Sequence, residues 1–166
     1  NNIVNTIDQR PALDVFNEDI GEILARDLNR AAGYIFAGLP VKESDTGDYL
    51  VRNLIGIDTV GKRIAIGDML HPGQQIQFCR RDGRTAWEDM QRMLDDLKAR
   101  LRGATPRGGL YYSCLGRGEA LFGGDSAEVK TIQAALGDFP LVGFFANGEI
   151  FNQRLYGYTG VLTLFL

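Results

Sequence analysis

An α+β fold is predicted, with a mixed, largely antiparallel sheet and helices packed against it. Three observations point to it. Two apolar runs without polar alternation, Gly109-Leu-Tyr-Tyr-Ser-Cys-Leu115 and Leu141-Val-Gly-Phe-Phe-Ala146, read as strands covered on both faces. Two other stretches, Ala86–Leu101 and Ser126–Leu136, instead carry apolar residues at helical spacing. The element order is β, α, a run of strands, α, β, α, then two or more strands, a mixture that suits helices laid on a mixed sheet.

Taken in order, Asn2–Ile7 is a short strand, and Pro11 suits the first position of a helix. Leu13, Phe16, Ile20, Leu24 and Leu28 follow at helical spacing, but Asn17 and Gly21 weaken the middle. Two helices (near 11–17 and 18–31) therefore fit as well as one, with Gly33 as terminator. From Tyr34 to Asp82 the pattern changes to short strands and turns. Tyr49–Ile57 is the clearest strand, with Val51, Ile55 and Ile57 on one face and Leu50, Arg52 and Leu54 on the other. Arg63–Ile66 is a second strand, His71-Pro72-Gly73 a turn, and Gln74–Arg80 a third strand with Ile76 and Phe78 inward.

The Ala86–Leu101 helix has Thr85 and Glu88 as a capping box. Trp87, Met90, Leu94, Leu97 and Leu101 form its apolar stripe, and Glu88–Arg92 and Asp96–Arg100 are opposite charges one turn apart. Gly103 and Pro106 stop it. The Ser126–Leu136 helix takes Asp125 as cap, Glu128 three residues on, and Val129, Ile132 and Leu136 as its buried edge. The turn Asn147-Gly148 is the strongest two-residue hairpin signal. A long closing strand, Arg154–Leu166, is apolar on both faces and is expected to lie centrally in a sheet.

Length and composition narrow the function classes. The 166 residues suit a single domain over residues 1–166, long enough for a proper core. The start at Asn1-Asn2, with neither Met nor a signal-peptide pattern, suggests a piece excised from a longer chain. Hydrophobic residues at 45% and charged residues at 23% argue against disorder. A net charge of −3 with interspersed signs lacks the cationic footprint of a nucleic-acid binder. No apolar run reaches the roughly 20 residues that span a bilayer. Cys79 and Cys114, both in apparent strands, read as buried free thiols of a reducing cytoplasm.

No catalytic or metal set emerges. A nucleophilic Cys114 needs a base, normally a histidine, within hydrogen-bond reach. The only histidine, His71, stands in a Pro-Gly turn. One His and two separated Cys offer no metal-ligand spacing, and no cofactor is expected. The loop Gly116–Gly124 joins a strand to a helix, as phosphate loops do, but its glycine spacing matches neither nucleotide fingerprint and Asp125 opposes an anion. Arg117 in that loop has two readings, a solvated charge or a guanidinium gripping a ligand carboxylate. Arg52, mid-strand among apolar neighbours, reads first as half of a structural ion pair and second as a ligand contact.

One resemblance spans nearly the whole chain. Ser113-Cys114-Leu-Gly116-Arg117-Gly118, Gly143-Phe-Phe-Ala-Asn147-Gly148-Glu149-Ile150 and Tyr156-Gly157-Tyr158-Thr159, in that order, resemble the C-terminal half of the FIST family. Pro11-Ala12-Leu13-Asp14-Val15 and Tyr49-Leu50-Val51-Arg52-Asn53 fit it too. The resemblance implies a non-catalytic sensory domain of an intracellular signal-transduction protein. Its ligand would be an amino acid or related metabolite, and its partners an N-terminal FIST half and a signalling output domain. The alternative is a protein–protein interaction module, as in F-box members. Ligand-binding residues implied or suggested are Arg117, Asn147, Glu149, Asn152, Ser113, Cys114, Tyr158 and Arg52, with Glu149, Asn147 and Asn152 receiving a ligand ammonium. The commoner family pattern has His-Asn-Gln-Thr where this chain has Tyr156-Gly157-Tyr158-Thr159, which bears on specificity.

Overall fold

A computed structural model describes residues 1–42 and 47–166; the side chains of residues 23, 24, 29, 30, 32 and 120 lie outside the description, including Leu24 of the expected apolar stripe. The fold is α+β, and the chain forms two compact units, Asn1–Arg81 and Asp82–Leu166.

The first unit is a five-stranded antiparallel sheet with helices on it. Its strands are β1 (Ile3–Val4), β4 (Ile35–Pro40), β5 (Tyr49–Asp58), β6 (Arg63–Ile66) and β7 (Gln77–Arg80), ordered β1-β6-β5-β4-β7. A separate hairpin joins β2 (Thr6–Ile7) to β3 (Arg10–Pro11) through Asp8 and Gln9, both at positive φ. Pro11 thus pairs in a strand, immediately ahead of α1 (Ala12–Ala25). Gly21 breaks α1 with φ 78° and ψ 163°, and α2 (Leu28–Tyr34) follows, running one residue past Gly33. The core gathers Leu13, Phe16, Ala31, Ile35, Leu54, Ile64 and Ile66, with Phe16 edge-on to Phe78 at 5.0 Å.

One expectation for β5 fails at a single point. The register against β6 shifts between Leu54 and Gly56, a bulge that adds one residue and reverses the alternation beyond it. Leu54 and Ile57 therefore both reach the core, while Ile55 is 58% exposed.

The second unit lays α3 (Gly83–Leu101) and α5 (Ala127–Leu136) on a three-stranded sheet ordered β12-β8-β9. Its strands are β8 (Gly108–Cys114), β9 (Leu141–Ala146) and β12 (Gly160–Phe165); β8 runs parallel to β9 and antiparallel to β12. A Cβ on Gly143 would fall 1.6 Å from the Tyr111 carbonyl oxygen, so only glycine allows this pairing. Met90, Leu94, Tyr111, Ile132, Leu136 and Phe139 fill the core between helices and sheet.

Several local expectations are corrected here. Asp82 caps α3 three residues earlier than Thr85 would, accepting from the Arg84 and Thr85 amides. Glu88 pairs with Arg84 and Arg92 with Asp89, while Asp96–Arg100 forms as expected, at 2.8 Å. Ser126, at φ 55°, occupies the cap of α5 without a side-chain bond, and Asp125 pairs with Lys130 instead. The glycine-rich loop contains a one-turn helix, α4 (Glu119–Phe122).

The closing segment is not one central strand. It divides into β11 (Arg154–Tyr156), paired with β10 (Glu149–Phe151), and the edge strand β12, because Tyr158 adopts φ 60° and turns the chain between them. The tight two-residue loop is Asn152-Gln153, at φ 46° and 64°, rather than Asn147-Gly148. β9, expected to be covered on both faces, is the other edge, and Val142 and Phe144 are each 66% exposed.

Candidate functional site

The second unit concentrates its buried polar chemistry where β8 ends and the glycine-rich loop begins. Alternate residues of β8 face the helices, which turns Tyr111 and Ser113 inward. Glu128, in the first turn of α5, meets them. Its carboxylate accepts the Tyr111 hydroxyl on Oε1 and the Ser113 hydroxyl on Oε2, the latter at 3.1 Å. Arg117 reaches back from the loop and donates Nε and Nη2 to Oε1 at 2.8 and 2.7 Å. Its guanidinium also stacks over Phe122, 4.6 Å from the ring centroid.

Taking such a pair out of water costs several kcal/mol per ion. Here one carboxylate accepts from three side chains and sits in the first turn of a helix, where the backbone dipoles favour negative charge. Burial pushes the Tyr111 hydroxyl pKa far upward, against the pull of the Arg117 charge. Tyr111 therefore stays a donor to Glu128.

Glu149 is the second buried carboxylate. It opens β10 opposite Tyr156, is 2% exposed, and neither oxygen makes a hydrogen bond of good geometry, although the Thr159, Glu149 and Gly148 amides approach it. Burial raises its pKa above the ordinary value. The Thr159, Glu149 and Gly148 amides and the Arg117 charge pull the other way without cancelling the rise. Such a group is either protonated in place or waiting for a positive partner.

The fold thus brings Ser113, Arg117 and Glu149 into one neighbourhood, with the Tyr158 ring against the backbone of Gly116. Cys114 is buried on β8 with its sulfur free, and its amide bonds to the Thr159 carbonyl. Asn147 and Asn152 are exposed, the first just past β9 and the second in the β10–β11 loop. Arg52 belongs to the first unit, where its Nε donates to Asp68 Oδ2 at 2.7 Å, the structural pair it was expected to form.

Glu128 and Tyr111 were not among the sequence candidates. Glu128 resembles a routine first-turn acid, but it shares the buried edge of its helix with Ile132 and Leu136 at steps of four, and that position was the available signal.

A separate cavity of about 910 Å³ opens in the first unit between the β1–β2 segment and residues 70–77. Asn5, Gln9, Gln74, Gln75 and His71 are among its lining, and no candidate from the sequence is. Among the described residues, no cluster of three or more His, Cys, Asp or Glu is placed to hold a metal ion. No helix among them is long and apolar enough to cross a membrane.

Comparison with known proteins agrees with the motifs. The FIST C domain family matches residues 12–152. An uncharacterised protein of Mycobacterium tuberculosis is 39% identical over 124 residues, which cover 72% of this chain and 32% of the relative. An uncharacterised protein of Mycobacterium bovis is 36% identical over the same length, with the same shares. The chain therefore spans about a third of the length of the curated relatives it matches. No solved structure matches it. With its motifs in family order and more than half of its length matched, the chain belongs to the FIST C domain family, in general terms a family of signal-transduction sensory domains.

Proposed function

We propose that this domain senses a small ligand without catalysis, as part of an intracellular signal-transduction protein, and that the ligand is an amino acid or related metabolite bearing an ammonium group. The observation that carries the reading is Glu149, a buried carboxylate that three backbone amides approach without a hydrogen bond of good geometry, in the field of the Arg117 charge. A ligand ammonium would supply the missing charge, with Asn147, Asn152 and Tyr158 near enough in the chain to form the rim. Arg117 is already held by Glu128. A ligand carboxylate competing for Nε and Nη2 would loosen the hold of Arg117 on Glu128, the carboxylate on which Tyr111 and Ser113 also converge. That competition couples occupancy to the packing of α5 on β8, which is the differential affinity a population shift requires.

The test is a thermal-shift screen of the protein against the amino acids and simple amines, repeated with Glu149→Gln. A ligand at a hundredfold excess over its dissociation constant stabilises by about 2.7 kcal/mol, several degrees at this size. A selective hit lost in Glu149→Gln supports the reading. A hit of equal size in both proteins removes Glu149 from the site, and a flat screen removes the ligand class. The second reading, a protein-interaction module, draws support from the exposed apolar residues of β9.

A further inference from the structure

Asn147-Gly148 has the composition of a hairpin turn, yet that task falls to Asn152-Gln153. The pair instead forms a bend between two anchored points. On one side the Ala146 carbonyl accepts the Leu115 amide at 2.9 Å, and on the other Glu149 pairs with Tyr156. Asn147 is exposed, and it is the one asparagine in the sequence that precedes a glycine. Without a Cβ on Gly148, the nitrogen of that residue lies open to the asparagine side chain. Among the described residues this nitrogen enters no backbone–backbone hydrogen bond, and it approaches the Glu149 carboxylate. That carboxylate makes no hydrogen bond of good geometry, and burial raises its affinity for a proton. A base therefore stands beside the amide proton of Gly148.

We propose that Asn147 is a site of spontaneous covalent modification, in which the Gly148 nitrogen attacks the Asn147 side-chain carbonyl carbon with Glu149 as the base. The bond from the Gly148 nitrogen to Asn147 Cγ forms as Glu149 takes the Gly148 amide proton. The Cγ–Nδ2 bond then breaks, and Nδ2 leaves as ammonia carrying that proton. Water opens the resulting succinimide ring at either carbonyl, which leaves an aspartyl or an isoaspartyl linkage at position 147. Both products place a new carboxylate close in the chain to Glu149. The isoaspartyl product also adds a carbon to the backbone between Ala146 and Glu149, both of which are held in place. Asn152 supplies the internal reference, since it is exposed too but is followed by Gln153, whose Cβ crowds the same approach.

The experiment incubates the full-length protein at neutral pH and follows each asparagine by peptide mapping with mass spectrometry. The free peptide Phe-Ala-Asn-Gly-Glu-Ile-Phe, residues 145–151, is incubated alongside. Conversion at position 147 is expected ahead of Asn152 and every other asparagine. It is also expected to run about tenfold faster in the folded protein than in the peptide, the part of a general-base gain of about 100-fold or more that survives a less mobile backbone. No conversion at position 147, or conversion no faster than in the peptide, overturns the proposal. Glu149→Gln in the full-length protein is expected to slow conversion to the peptide rate, and an unchanged rate overturns the proposal as well. The comparison of the unsubstituted protein with the peptide stands by itself if Glu149→Gln does not fold.

Discussion

Replacing Glu128 by alanine tests the centre of the candidate site directly. The Arg117 and Glu128 side chains are 12% and 7% exposed, so the substitution leaves a guanidinium buried without its carboxylate. Orphaning one member of a buried pair costs about 3–5 kcal/mol. The Tyr111 and Ser113 hydroxyls lose their acceptor in the same step and push the cost toward the upper end. At this chain length each kcal/mol moves the thermal midpoint by about 2–4 °C, so a fall of roughly 6–20 °C is expected. Urea unfolding followed by Trp87 fluorescence measures it locally. Trp87 is the single tryptophan, and it lies edge-on to Phe122, 5.1 Å away, the ring that also carries Arg117. Adding Arg117→Met removes the stranded charge, so the double variant is expected to lose less than the sum of the singles, by about 1–3 kcal/mol. A Glu128→Ala loss below about 1 kcal/mol, the range of exposed pairs, would refute the reasoning. So would additivity within about 0.5 kcal/mol.

Three other expectations can be measured alongside it. Glu149 has a folded pKa above its ordinary 4.5, so the folded state binds more protons than the unfolded one between those two values. Its contribution to stability therefore falls as pH rises through that window, and a pH series of urea midpoints should show wild type losing stability relative to Glu149→Gln; a difference independent of pH contradicts this. A Cβ on Gly160 would stand 2.4 Å from the Tyr111 hydroxyl oxygen, so Gly160→Ala is expected to displace Tyr111 from Glu128 and cost about 1–3 kcal/mol; no change in unfolding midpoint would mean the ring relaxes freely. Asp68→Ala should destabilise more than Asp96→Ala, because Arg52 is 17% exposed and Arg100 is 56% exposed; equal losses in paired melts would put Arg52 in water.

What the sequence revealed and what it hid follow from the range of the forces involved. The α3 stripe, the Arg63–Ile66 strand and the Pro72-Gly73 turn depend on neighbours a few residues apart, and all three form. The Leu54–Gly56 bulge reversed the side chains after it, because it arises from pairing with β6 and leaves no local mark. β9 reads as a doubly covered strand, yet its composition states only that it avoids water, not which atoms shield it. The break before β12 depends on Tyr158 holding positive φ, uncommon for an aromatic residue and so not suggested by its type. At the site, Arg117, Ser113 and Glu149 were reachable from motifs. Glu128 was hidden because an acidic residue in a first helical turn ordinarily answers the backbone dipole in solvent.

The strand order β12-β8-β9 also has a consequence for how the molecule is made. Gly108, at the start of the middle strand, pairs with Phe165 near the end of the chain, whereas the first unit's sheet is complete once Arg80 has been added. At about 5–20 residues per second, translating Asp82–Leu166 takes roughly 4–17 s. β8 waits for more than half of that time, and the Leu141–Ala146 segment for roughly its last fifth, while their sheet still lacks its last strand. Nascent chains stalled before Gly160 should therefore engage chaperones that bind apolar extended segments, and chains stalled after Phe165 has emerged should not.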